Sequence, residues 1–211
     1  MKTAPPTGLR ERKKQRTREE LLRAAVHLFT SQGYERTTVD EIAAAVDVSQ
    51  RTFFRYYAGK EDVALALEGV TVARFVEAVR ARPAAEPPLE ALRQAVLEGW
   101  TSLHEAIESV VSVDLYLRMY RVIESTPVLL AAHLRRSAET EEALARVLAE
   151  REGLDVDADP RPRLAVAVFG GVMRVTERLW SRGTVAGVAE MRELTARHLD
   201  LVGPALLGSW R

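Results

Sequence analysis

TTVDEIAAAVDVSQRTFFRYY, Thr37 to Tyr57, places two helix starts in close succession. Thr38 and Glu41 stand at capping-box spacing, where the hydroxyl takes an amide and the carboxylate reaches back. Ile42, Ala43 and Val46 then make a short apolar stripe, predicting a helix of about two turns that ends before Asp47–Val48. Ser49 is the next N-cap. Phe53 and Tyr57 lie four apart and point inward, leaving Gln50, Arg51, Thr52, Arg55 and Tyr56 to the outside. Ala43, Ala44 and Ala45 let the two helices approach closely. These are the parts of a helix-turn-helix, whose second helix fits a major groove and presents its first turn to base edges.

Upstream, Thr17 and Glu20 repeat the capping-box spacing and predict a first helix start. Leu21, Leu22, Ala25, Leu28 and Phe29 follow on one face, and Gly33 serves as a left-handed stop. Residues 1–9, with Pro5, Pro6 and Gly8, read as a disordered arm. Downstream, Gly59 breaks the chain and Lys60 opens a fourth, longer helix through Val63, Leu67, Val70 and Phe75.

Composition narrows the function classes. The 211 residues balance 30 Lys/Arg against 30 Asp/Glu. Residues 1–60, however, hold twelve basic against seven acidic residues, and the rest of the chain carries the matching acidic excess. A basic amino-terminal part fits a polyanion partner, with Arg12, Lys13 and Lys14 supplying nonspecific attraction. Absence of cysteine excludes disulfides, thiolate metal sites and cysteine nucleophiles. His27, His104, His133 and His198 have no metal-ligand spacing, so neither metal nor cofactor is expected. No apolar run spans a membrane and no signal peptide opens the chain, so the expected location is the cytoplasm. Phosphate-binding, hydrolase and zinc-protease motifs are missing, which argues against an enzyme.

Residues 61–211 read as about six helices, near 60–80, 89–109, 111–124, 128–152, 163–182 and 185–207, divided by prolines and glycines. Val168, Gly171, Val172, Val175 and Leu179 recur at helical spacing, as do Val188, Met191, Leu194, Leu201 and Val202. These two stripes are the expected dimer seam, with Gly170 and Gly171 permitting close helix approach. Trp100, His104 and Ile107, with Tyr116 and Tyr120, and with Phe169 and Met173, supply the aromatic and polar tips of an apolar ligand pocket.

The stretch from Arg16 to Val63 resembles the DNA-binding domain of the TetR family of bacterial transcriptional regulators. The resemblance rests on A-A-x-x-L-F (Ala24–Phe29), G-Y-x-x-T-T-V-x-x-I-A (Gly33–Ala43), V-S-x-x-T-F (Val48–Phe53) and Y-Y-x-x-K-E (Tyr56–Glu61). The R-T-F-F-R-Y-Y run is similar to actinobacterial members. The resemblance implies an all-α homodimer. A three-helix DNA-binding bundle occupies residues 10–60, and an effector-binding and dimerisation bundle occupies 61–211. It also implies roles. Thr17, Thr38 and Lys60 hold phosphates, Gln50, Arg51 and Thr52 make base and phosphate contacts, and Phe54, Arg55 and Tyr56 face the groove. Phe54 replaces the usual tyrosine, so it contacts a thymine methyl rather than a phosphate. Arg55 adds a cation for guanine or backbone.

The function these observations imply is a ligand-responsive regulator, most simply a repressor, that binds an inverted-repeat operator on double-stranded DNA as a dimer. A small-molecule effector releases it. The alternative is an architectural protein that binds DNA without sequence preference.

Overall fold

The computed structural model describes residues 8–182 and 188–208, and among them the chain is helical throughout, without strands. The side chains of His104 and Val188 lie outside the described residues, as does most of the expected amino-terminal arm. The chain divides into two compact units, Met1–Ala66 and Leu67–Arg211.

The first unit holds α1 (Leu9–Gln32), α2 (Val39–Ala44), α3 (Gln50–Phe54) and α4 (Lys60–Ala64). α1 begins at Leu9, two turns before the expected start. Thr17 is therefore inside the helix, its hydroxyl donating to the Lys13 carbonyl at 3.1 Å, and Glu20 pairs with Arg16 at 2.9 Å instead of capping. The Arg/Glu/Lys/Gln run before Thr17 favours helix, so propagation overrides a local cap. Gly33 does end α1 at positive φ (91°), but with an extended ψ of 152° rather than a left-handed helical one. α1 packs on α2 and α4, and α2 on α3. Leu21, Ala25, Val26, Phe29, Ile42, Phe53 and Val63 are fully excluded from solvent. That burial holds the short α2 and α3, which are far below the length at which an isolated helix persists.

The turn between α2 and α3 closes with the Val48 amide donating to Ala43 O at 3.0 Å, across Asp47 at φ 53°. This is a helix-ending turn with aspartate in the place glycine usually takes, a conformation that short polar side chains tolerate.

The second unit holds α5 (Ala66–Ala81), α6 (Pro88–Glu108), α7 (Val113–Ser125), α8 (Pro127–Glu152), α9 (Arg161–Arg182), α10 (Val188–Asp200) and α11 (Val202–Leu207). The helix expected from Lys60 onward is in fact two, parted at Leu65 (φ −98°, ψ 6°). The last expected helix is parted at Leu201. α9 packs on α8, α10 and α6. Its inner face joins Leu92, Leu144, Leu148, Val166 and Phe169 in one core, while Trp180 joins Leu97, Trp100, Leu117 and Met191 in another. Arg151 donates to the carbonyls of Arg82 (2.7 Å) and Pro83 (2.8 Å), which satisfies backbone groups freed where α5 ends.

Candidate nucleic-acid interface, dimer face and effector cavity

α3 is oriented by what it buries. The Ser49 hydroxyl accepts the Thr52 amide at 3.2 Å and lies 3.0 Å from the Thr52 hydroxyl. Phe53 is fully buried, stacked at an angle on Tyr57 with centroids 5.8 Å apart. The Tyr57 hydroxyl donates to Arg18 O at 3.0 Å. With those rings inward, Gln50, Arg51, Phe54 and Arg55 are exposed, Phe54 by 51%. The Arg55 guanidinium lies 5.0 Å from the Tyr56 ring centroid and donates to the Tyr56 hydroxyl at 3.3 Å. An exposed phenylalanine beside two arginines on a helix this short is a surface suited to a groove with a charged backbone and methyl-bearing bases.

The residues assigned to phosphates are placed differently. The Thr38 hydroxyl accepts the Glu41 amide (3.2 Å) and donates to Glu41 Oε2 (3.0 Å), while the Thr38 amide donates to the same oxygen at 2.7 Å. The capping box is complete. The Thr38 amide and hydroxyl hold the Glu41 carboxyl below its usual range. Lys60 Nζ donates to Tyr34 O (2.9 Å) and Thr37 O (2.8 Å) and sits 4.5 Å from the Tyr34 ring centroid. Two of its three donors are thus spent on the loop between α1 and α2. The polar groups of Thr17, Thr38 and Lys60 all make internal bonds, whereas Gln50, Arg51, Phe54 and Arg55 share the open face of α3.

On α9, Val175 (54% exposed) and Leu179 (51%) stand clear of the core, and Leu164 extends the same stripe. Val168 is half-buried, and nothing lies within 4 Å of a Cβ built on Gly171. Leu194 is half-buried and Leu201 exposed. Two members of the expected seam belong to the chain's own interior. Met191 is fully buried beside Leu97 and Trp180, and Val172 packs on the core around Phe169. Each helix turns one edge of its stripe inward. A Cβ on Gly170 would fall 2.5 Å from Glu141 Oε1, so the carboxylate that pairs with Arg174 would have to move.

A cavity of about 600 Å³ opens in the second unit. Trp100, Tyr116, Tyr120, Phe169 and Met173 line it as expected from their spacing. Ile107 is buried but is not on the wall. It lies seven residues beyond Trp100, about 10 Å further along α6. Phe75 stacks on Phe169 with centroids 5.5 Å apart and planes 15° from parallel. The polar wall groups had been missed. His133 Nδ1 lies 3.0 Å from Glu68 Oε1, and the Tyr120 hydroxyl donates to Glu177 Oε2 at 3.2 Å. Burial, with Glu68 and Glu124 nearby, pushes Glu177 up to about 7, and the hydrogen bond to Glu68 raises His133. Burial also raises both Tyr116 and Tyr120. The signal lay in the register of α9, where Glu177 follows Phe169 and Met173 at four-residue steps, a carboxylate continuing an apolar stripe. Among the described residues no cluster of His, Asp or Glu could hold a metal, and no helix is long and apolar enough to cross a membrane.

Comparison with known proteins agrees with both units. The family model for bacterial regulatory proteins of the tetR family matches residues 21–67, and that of the MftR C-terminal domain matches 86–206. The chain is 44% identical over 204 residues to the HTH-type transcriptional regulator TcmR of Streptomyces glaucescens, covering 97% of this chain and 90% of the relative. Among solved structures, the complex of SmeT with triclosan superposes with a TM-score of 0.61 at 18% identity, covering 90% of this chain and 91% of that one. The Thermus thermophilus repressor FadR, in complex with lauroyl-CoA, gives 0.51 at 27% identity, with 92% and 97% covered. With the tetR-family model on the first unit and 44% identity to TcmR across both, the chain belongs to the TetR family of bacterial regulatory proteins, and is a DNA-binding transcriptional regulator rather than an enzyme.

Proposed function

We propose that the protein is a dimeric repressor, acting in the cytoplasm, that reads an inverted-repeat operator with α3 and is released when a small molecule enters the cavity of the second unit. The observation that carries the reading is the exposed Gln50–Arg51–Phe54–Arg55 face, held outward by buried Phe53 and Tyr57. Arg51 and Gln50 are suited to base edges, Phe54 to a thymine methyl, and Arg55 with Tyr56 to the backbone. Thr52 contributes through its bond to Ser49. Thr17, Thr38 and Lys60 support the interface by fixing the helices that border it.

Two copies of α3 must meet successive major grooves roughly 34–36 Å apart, so the dimer dictates the repeat. The exposed α9 stripe of Leu164, Val168, Gly171, Val175 and Leu179, with Leu194 and Leu201, supplies the apolar surface for pairing. SmeT was solved with triclosan and FadR with lauroyl-CoA, which supports assigning the cavity here to an effector. An effector lowers DNA affinity by as much as it prefers the state that binds DNA poorly, typically ~1–3 kcal/mol.

Selection from a random DNA pool followed by gel shift tests the reading. An enriched inverted repeat that resists scrambled competitor is the expected result. Equal competition by scrambled DNA would instead establish an architectural protein.

A further inference from the structure

The chain enters the second unit through a break in the helix. α4 ends at Ala64, Leu65 takes φ −98° and ψ 6°, and α5 starts at Ala66. Whatever steadies the first turn of α5 steadies the point at which the chain enters the second unit. The far end of α5 is firmly held. Val79 is fully buried in one core with Leu92 and Leu148, Phe75 stacks on Phe169, and Arg151 binds the carbonyls of Arg82 and Pro83 just beyond. The near end is held differently. Leu67 is buried, and beside it Glu68 Oε1 lies 3.0 Å from His133 Nδ1 on α8. Among the described residues this is the one side-chain hydrogen bond or ion pair from residues 66–73 to another helix. Glu68 stands about 4.5 Å along the helix axis from the break. Both side chains are mostly enclosed, Glu68 at 16% exposure and His133 at 13%, so little water screens the pair.

We propose that Glu68 and His133 form a latch that positions α5 for operator binding, closed while His133 is protonated and slack when it is neutral. The inference rests on the operator reading above and adds a control of it that needs no effector. Both are positioning residues, acting through α5 rather than on DNA themselves. An imidazolium beside a carboxylate has a charge-assisted hydrogen bond and Coulomb attraction, whereas a neutral ring keeps at most the hydrogen bond. The groups that face His133 are Glu68 from α5, Tyr120 and Glu124 from α7, and Glu177 from α9. On α8 itself, Arg136 follows one turn later on the cavity wall. The bond to Glu68 raises His133 above its ordinary 6.5 against the cost of burial, and the charges of Glu68, Glu177 and Glu124 add to it. Tyr116 faces Glu68 as well. Glu177, pushed up by burial to about 7, gains its charge in the same range and prolongs the protonation of His133. The operator sets the sign. Two reading helices must sit roughly 34–36 Å apart. A slack α5 spreads that separation, so a smaller fraction of dimers is competent and apparent affinity falls in proportion. Affinity is therefore greatest below the ordinary 6.5 and declines as pH rises through the raised value.

Fluorescence anisotropy of a labelled, selected operator with the full-length protein tests this between about pH 6 and about pH 8.5. Wild type should lose about fivefold or more in affinity across that range. His133→Lys keeps a cation against Glu68 throughout, and should bind tightly without pH dependence. His133→Gln should be equally flat but weak, at the wild-type value of high pH. Glu177→Gln should move the wild-type decline to lower pH. Circular dichroism checks folding. If His133→Gln fails to fold, Glu68→Gln, which leaves the ring in place, should give the same weak, flat profile. A pair that only held the fold would lower the melting temperature of both histidine variants and leave their operator affinities alike, which overturns the inference. Wild-type affinity that is constant or rises with pH also overturns it. So does a decline that persists in His133→Gln, which assigns the titration to another group such as exposed His27. If selection enriches no operator, the operator reading fails and the latch falls with it; any of the contrary outcomes on an enriched operator removes the latch alone.

Discussion

The Tyr57 hydroxyl donates to the Arg18 carbonyl at 3.0 Å, joining the chain just past α3 to the middle of α1 across 39 residues. Arg18 returns the contact, its guanidinium 5.6 Å from the Tyr57 ring centroid. The bond explains how a helix as short as α3 holds one rotation. Tyr57→Phe keeps the buried ring and removes the bond, so the first unit should lose ~0.5–1.5 kcal/mol, read by urea denaturation. An unchanged midpoint would show that the ring alone sets α3.

Arg51 is exposed on the face opposite Phe53. Arg51→Ala should weaken operator binding by ~1–3 kcal/mol and relax preference at one base position, without altering thermal stability. Competition assays over single-base operator variants check this; an intact preference at every position assigns Arg51 to the backbone instead.

Lys60 meets a phosphate in the role the resemblance implies, and in this structure it makes two internal bonds. Both carbonyls it serves, Tyr34 O and Thr37 O, lie in the loop between α1 and α2. Lys60→Met removes the charge but keeps the stem, and should destabilise the first unit by ~1–3 kcal/mol. The slope of log affinity against log salt should stay as in wild type. A slope lower by about one unit, with stability unchanged, would identify a phosphate contact and reject the brace.

The α9 stripe makes a prediction about assembly. Gly171 faces open space and Val175 is 54% exposed. Gly171→Leu fits the monomer without clash but pushes a partner helix away, so light scattering should report monomers with unchanged circular dichroism. Gly170→Leu meets Glu141 within the chain and should instead cost stability. A dimer that survives Gly171→Leu would move the seam elsewhere.

Glu177 sets a pH dependence of known sign. Its carboxyl rises from an ordinary 4.5 to about 7 on folding, so the folded state holds the proton that the unfolded chain releases. Its contribution is therefore full below pH 4.5 and is lost as pH rises toward 7. His133, also raised, loses its contribution as pH climbs above its ordinary 6.5. Glu41, Glu86 and Glu142 are lowered, and their contributions vanish only on acidification below 4.5. Glu177→Gln should flatten the decline in melting temperature between pH 5 and 7 and raise stability at pH 8. Parallel curves for variant and wild type would show that Glu177 titrates normally.

Local signals carried the helix-turn-helix because each is a contact between near neighbours. The Thr38–Glu41 box, the Ser49 cap and the Phe53–Tyr57 spacing are all complete within one or two turns, and all three are present. The Thr17–Glu20 box has the same spacing and does not form, because the helix-forming residues before it carry α1 back to Leu9. Spacing therefore identifies a cap but not whether the helix stops there.

In the second unit, periodicity showed which residues share a helix face, and so brought Trp100, Tyr116, Tyr120, Phe169 and Met173 to one cavity. It could not say which edge of a wide stripe turns inward. That depends on the rotation each helix adopts against several neighbours, a balance of burial over the whole bundle. So Met191 and Val172 went to the core while Val175 and Leu179 stayed outside. The pairing of Glu68 with His133 spans 65 residues, and Glu177 with Tyr120 spans 57. The chain alone determined an all-α regulator with a helix-turn-helix whose second helix opens at the Ser49 cap. Packing decided which charges meet in the cavity, because burying Glu177 in a low-dielectric wall is a property of the neighbours that four other helices bring to it.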